Sequence, residues 1–147
     1  MKPLRLALPV VIGLAFPLLA AQASWVERAR DAPLALVARC EAQSSRWEGG
    51  SIYTYSEVAA LRVVRGVPAH SVIVRQRGGD VDGIGQRVSH QSLLEPGRTY
   101  LLFLAQDSSS SWSPTSTGVN LVDDSPDGQI VGGQTLEQVI GELGGAN

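Results

Sequence analysis

In several segments between residues 34 and 77, apolar and polar positions alternate with a period of two, which sends successive side chains to opposite faces of a pleated strand. Leu36, Ala38, Cys40 and Ala42 share one face, and Arg39, Glu41 and Gln43 share the other, so a first strand is expected over 34–44. A turn at Glu48-Gly49-Gly50 leads to a second strand over 52–64, rich in Tyr, Val and Thr, and the two read as a hairpin. The pattern slips midway. Neither the set Ile52, Thr54, Ser56, Val58 and Ala60 nor its complement is apolar throughout, and a bulge near Ala59-Ala60 would reconcile the faces. Arg65-Gly66-Val67-Pro68 is a turn, because Pro has no amide proton for a ladder. Residues 71–77 alternate again, with Val72, Val74 and Gln76 on one side.

The next segment, Gly78 to Gly85, is dense in glycine and reads as a loop that returns as a short strand over 86–90. Glu95-Pro96-Gly97-Arg98 is a turn, and the unbroken apolar run 99–104 is expected to be the central strand. Residues 106–117 read as a mobile polar loop in which Trp112 stands alone among hydroxyls. Strands over 118–122 and 129–131 flank a Pro-Asp-Gly turn. The period becomes helical only at the end. Thr135 and Gln138 fit a capping box, Leu136, Val139, Ile140 and Leu143 form one apolar stripe, and Gly144-Gly145 terminates it. This helix is expected to cap a barrel mouth or cover a sheet edge. The elements together predict a mainly β fold, a small antiparallel OB-like barrel with one C-terminal α-helix; an open β-sandwich is the alternative.

The first residues follow a different rule. Lys2 and Arg5 precede an apolar stretch ending in Ala21-Gln22-Ala23, a small-x-small pattern, so residues 1–23 are expected to be a cleaved signal peptide. Pro9, Gly13 and Pro17 interrupt the stretch and argue against an anchor. The remainder is expected to be a segment over 24–33 and one β-barrel domain over 34–147, periplasmic or secreted, with no membrane association after cleavage. Cys40 is the only cysteine, so no disulfide forms within the chain and stability must come from packing; its place on the apolar face predicts a buried thiol.

Composition narrows the chemistry further. The formal charge of −2 becomes −4 once Lys2 and Arg5 leave with the signal peptide, which gives no electrostatic reason to expect nucleic acid as a partner. Lysine is then absent, which excludes a Walker-type phosphate loop, a Schiff base and a Ser-Lys pair. His70 and His90 sit in or beside turns, without an HExxH, CxxC or GxSxG context. Asp123, Ser125, Asp127 and Gly128 match the opening of a calcium loop, but Gln134 stands where the closing bidentate Glu belongs, so a turn is expected there; Asp80, Asp82 and Gly85 match less well. No metal and no cofactor is expected.

Several short motifs together carry a resemblance. They are Ser45-Arg46-Trp47 with Gly50 and Ile52-Tyr53-Thr54, then Val63-Val64-Arg65-Gly66 and Val74-Arg75. They continue in Gly78-Gly79-x-Val81-x-Gly83-Ile84-Gly85-x-Arg87-Val88, and in Pro96-Gly97 ahead of Tyr100-Leu101-Leu102-Phe103-Leu104. Over residues 34–104 the chain resembles a group of small exported bacterial proteins of unassigned function, and in strand order and size it is similar to the netrin/TIMP-like OB-type barrels. That resemblance implies a barrel presenting loops to a protein partner. It does not bring the zinc chelation of true TIMPs, which use an N-terminal cysteine and disulfides; here Ser24 is the expected mature N-terminus.

The function expected from these observations is that of an exported, non-enzymatic binding module contacting a protein or cell-envelope partner. Its expected contact residues are Trp47, Tyr53, Gly79, Asp80, Asp82, Ile84 and Trp112. Two alternatives stand beside it: an inhibitor of a secreted protease, and a small hydrolase using His70 or His90 with Asp80 or Asp82.

Overall fold

The computed structural model describes residues 23–67, 71–89, 91–107 and 111–145. The signal-peptide expectation, apart from Ala23, falls outside these residues, and so do His70 and His90.

Two long strands, β1 (Leu34–Glu48) and β2 (Ser51–Arg65), form the expected hairpin, each running past the predicted end. Gly49 (φ +55°) and Gly50 (φ +82°) make its two-residue turn, a backbone that only glycine adopts without strain at both positions. The predicted bulge is present but displaced. On β2 the register skips Leu61 and Val64, and on β1 it skips Glu41. The extra residue at Glu41 reverses the inward parity, so Ala42, expected beside Cys40, is exposed, and Gln43 and Ser45 take up the inner face.

The main sheet runs β3-β2-β1-β6-β7-β8-β9, with β3 (Ser71–Arg77), β6 (Thr99–Gln106), β7 (Trp112–Ser125), β8 (Gly128–Val131) and β9 (Gln134–Thr135). β3 meets β7 again in parallel at Val74 and Trp112, closing a ring of five strands. All other pairings are antiparallel. The predicted mobile loop over 106–117 is therefore corrected. Its ends are strand, because Gln106, Ala105 and Leu104 pair with Trp112, Ser113 and Pro114. The glycine segment is corrected too: β4 (Gly79–Val81) and β5 (Ile84–Gln86) form a small hairpin turning at Asp82-Gly83, ahead of the predicted strand over 86–90. The Asp123 region is the expected hairpin, with Ser125 opposite Gly128. Asp123 and Asp124 are consecutive strand residues, so their carboxylates leave on opposite faces.

Among the described residues there are two helices, one more than predicted: α1 (Trp25–Arg28), capped by Ser24, and α2 (Leu136–Gly144), where the Gln138 amide donates to Thr135 Oγ1 at 3.3 Å. α2 does not cap the barrel mouth. With α1 it lies on the outer side of β1 and β6, and Trp25, Ala35, Val37, Leu101, Phe103, Val139 and Leu143 form a core there, the Trp25 and Phe103 rings meeting edge-on at 6.2 Å. A second core fills the ring itself, from Leu34, Leu36, Ala38, Cys40, Val58, Val74, Leu94, Leu102 and Leu104. β1 and β6 are thus apolar on both faces over these stretches, which explains the unbroken run at 101–104. Cys40 is fully buried, and burial pushes its thiol pKa up.

Candidate functional site

The interior of the ring is apolar at one end and polar at the other. At the polar end the inner face of the first hairpin carries Ser45, Thr54 and Ser56, the last two buried. Thr54 donates its single proton to the Gly78 carbonyl at 2.8 Å, so the 2.8 Å contact with Ser45 has Ser45 as donor. The β4–β5 hairpin is clamped against this face. Gly78 N–H donates to the Ile52 carbonyl (2.7 Å), and Ile52 N–H donates to Gln86 Oε1 (2.7 Å). Gly79, at φ +127°, approaches so closely that a Cβ would overlap Thr54 Oγ1 and lie 2.7 Å from Ser45 Oγ.

Residues 91–95 cross the same end without belonging to a strand. Two glutamine amides hold them in place of a ladder, since a primary amide has the donor and acceptor of a peptide group. Gln76, buried at 2% exposure, donates to the Ser92 carbonyl (2.9 Å) and accepts from Leu94 N–H (3.0 Å). Gln43 Nε2 donates to the Leu94 carbonyl (2.6 Å) and to Ser56 Oγ (3.0 Å). The Leu94 side chain then plugs the inner core.

The outer face of the same strands carries a charged knot. Glu48 accepts from Arg46 (2.9 Å), from Arg75 (2.8 Å) and from the Tyr55 hydroxyl. Arg75 also donates to Tyr55 Oη (3.1 Å), sits 3.6 Å from the Tyr53 ring centroid, and lies 3.8 Å from an Asp107 carboxylate oxygen. Arg46 covers the Tyr55 ring at 4.1 Å. The Tyr55 hydrogen bond, followed by those from Arg75 and Arg46, holds the Glu48 carboxyl at about 2, and the hydrogen bonds that Arg75 donates to Glu48 and then to Tyr55 raise it further above its ordinary value. This knot fixes the two tyrosines as a rigid platform.

Trp47 (44% exposed), Tyr53, Gly79, Asp80, Asp82 and Ile84 (53% exposed) all belong to these two packed hairpins. Trp112 does not join them. It is half-buried in the β3–β7 seam and packs against the inner core. Sequence reasoning missed Glu48, Arg75, Gln43 and the role of Gln76. Only Gln76 left a trace, as a polar residue continuing the apolar face of Val72 and Val74.

Two clefts open beside the clamped hairpin. One, of about 470 Å³, runs between residues 78–80, Gln86 to Val88 and the strap over 91–95. The other, of about 440 Å³, lies between Gly50-Ser51 and residues 86–89 and shares Arg77, Gln86, Arg87 and Val88 with the first. Among the described residues no group of three or more His, Cys, Asp or Glu is arranged to hold a metal ion, and no helix is long and apolar enough to cross a membrane. Comparison with protein-family models, curated proteins and solved structures returns no match to this chain.

Proposed function

We propose that the protein is an exported, non-enzymatic binding module that contacts a protein or cell-envelope partner through the end of the barrel formed by the first hairpin and β4–β5. The observation that carries this reading is a pair of exposed apolar side chains, Trp47 and Ile84, on backbone that is clamped rather than free. An aromatic anchor held on a rigid frame loses little conformational entropy on contact, which is what interface hot spots require. The ring order, with a single parallel seam between β3 and β7, is compatible with an OB-type barrel of the netrin/TIMP-like kind, whose loops serve as contact surfaces. The N-terminal pattern of Lys2, Arg5 and Ala21-Gln22-Ala23 supports a periplasmic or secreted location.

Immobilised protein is challenged with envelope and secreted fractions of its source cells, beside Trp47→Ala and Ile84→Asp variants of equal thermal stability. The reading requires at least one partner retained by the wild type and reduced about tenfold or more on the variants, a loss in the range of interface anchors. Identical retained sets on all three proteins would refute it.

A further inference from the structure

The smaller cleft has a one-sided chemistry. Among the described residues its charged lining groups are Arg77 and Arg87, and no carboxylate lines it; Ser51 and Gln86 supply neighbouring polar groups. Gln86 has already used its carbonyl oxygen, which accepts Ile52 N–H at 2.7 Å, so what its amide still has to offer is donors. Arg77 makes one exposed contact, to Ser51 Oγ at 3.1 Å, which leaves most of its five N–H groups free. Arg87 makes no side-chain hydrogen bond or ion pair among the described residues. Its side chain is exposed, on a backbone that is held close to Gly78, where an added Cβ would lie 3.1 Å from the Gln86 carbonyl oxygen. The carboxylates of Asp80 and Glu95 line only the adjoining cleft. Two guanidiniums lining one cleft together with the Gln86 amide donors match an acceptor-only ligand carrying negative charge.

We infer that this cleft binds an oxyanion of the phosphate class, either as a free ion or as the headgroup of an anionic lipid. The site is distinct from the Trp47 and Ile84 surface, so either assignment can fail while the other stands. Inorganic pyrophosphate titrated into isotopically labelled protein should produce saturable amide shifts at Gly50, Ser51 and residues 86–89, with millimolar affinity that weakens as salt is added. Arg87→Gln should weaken binding about tenfold without moving the unfolding midpoint, since Arg87 has no side-chain partner to lose among the described residues. Arg77→Gln should act in the same direction, and Asp80→Asn should tighten binding by removing a nearby like charge. Flotation with phosphatidylglycerol vesicles against phosphatidylcholine vesicles separates the sources. Retention by the anionic vesicles that is lost in Arg87→Gln assigns a lipid headgroup, whereas pyrophosphate shifts without retention assign a soluble anion. The inference is overturned if neither probe binds, or if binding survives both arginine substitutions unchanged.

Discussion

Replacing Gln76 with glutamate changes one NH₂ group to oxygen and tests whether the strap over 91–95 is held by a side-chain amide in a dry interior. Gln76 is 2% exposed, and its Nε2 donates to the Ser92 carbonyl while its Oε1 accepts Leu94 N–H. In Gln76→Glu the acceptor survives, but an ionised carboxylate then faces the Ser92 carbonyl oxygen. Burial and that repulsion both raise the folded-state pKa above the unfolded value of about 4.3. Below pH 4 the carboxyl is protonated in both states, donates as the amide did, and costs little. As pH rises, the unfolded state ionises first and is favoured by about 1.4 kcal/mol per pH unit until the folded-state pKa is reached. A displacement of about two units, moderate for a buried carboxyl, gives a loss of about 3 kcal/mol at pH 7. That is a large share of the 5 to 15 kcal/mol or so that holds a domain together, yet leaves it folded. Urea denaturation of wild type and variant at a series of pH values from 3.5 to 7.5 measures the difference directly. The reasoning fails if the two stabilities keep a constant offset across that range.

The remaining predictions concern other parts of the molecule. Phe103→Ala removes a ring that is fully buried against Trp25 and should cost about 3 to 5 kcal/mol by chemical denaturation, the usual range for such a cavity. Gly79→Ala combines a strained φ with overlap on Thr54 Oγ1, and should lower stability by more than about 1 kcal/mol while shifting amide resonances of both Thr54 and Ile84. Because the Glu48 carboxyl is held at about 2, below its ordinary 4.5, its contribution is present above pH 4.5 and fades as pH falls towards 2; Glu48→Gln should flatten the stability curve in that window. Cys40 should react with a thiol reagent only at the rate of global opening, so that labelling accelerates with urea in step with unfolding.

Strand alternation made the hairpin legible in advance, an unbroken apolar run did so for the central strand, and a helical period with its caps for the terminal helix. What it did not show follows from departures from that period. The unpaired Glu41 reverses the faces of everything after it in β1, and nothing in the sequence around Cys40 announces an added residue. Residues 112–117 read as loop because serine and threonine dominate there, yet pairing with β6 and the seam to β3 make the beginning of this stretch strand; tertiary context overrides propensity. Trp112 accordingly lies half-buried at the seam, whereas Trp47 and Ile84 are exposed, each near the glycine turn of its own hairpin. The knot of Glu48, Arg75 and Tyr55 joins three strands across long sequence separations, and single-chain patterns carry no trace of such convergence.

That β1 and β6 are covered on both sides has an implication for how the polypeptide comes together. The face of β1 that carries Ala35 and Val37 waits for residues 136–143, while the face that carries Leu36 and Ala38 waits for β7 to close the ring. A nascent chain emerging N-terminus first therefore carries a sticky, half-dressed ribbon until residues 136–143 have followed β7 out. Cutting the chain before Leu136 would leave only the short α1 segment over that ribbon, and such a truncated product should clump rather than persist as a smaller working version.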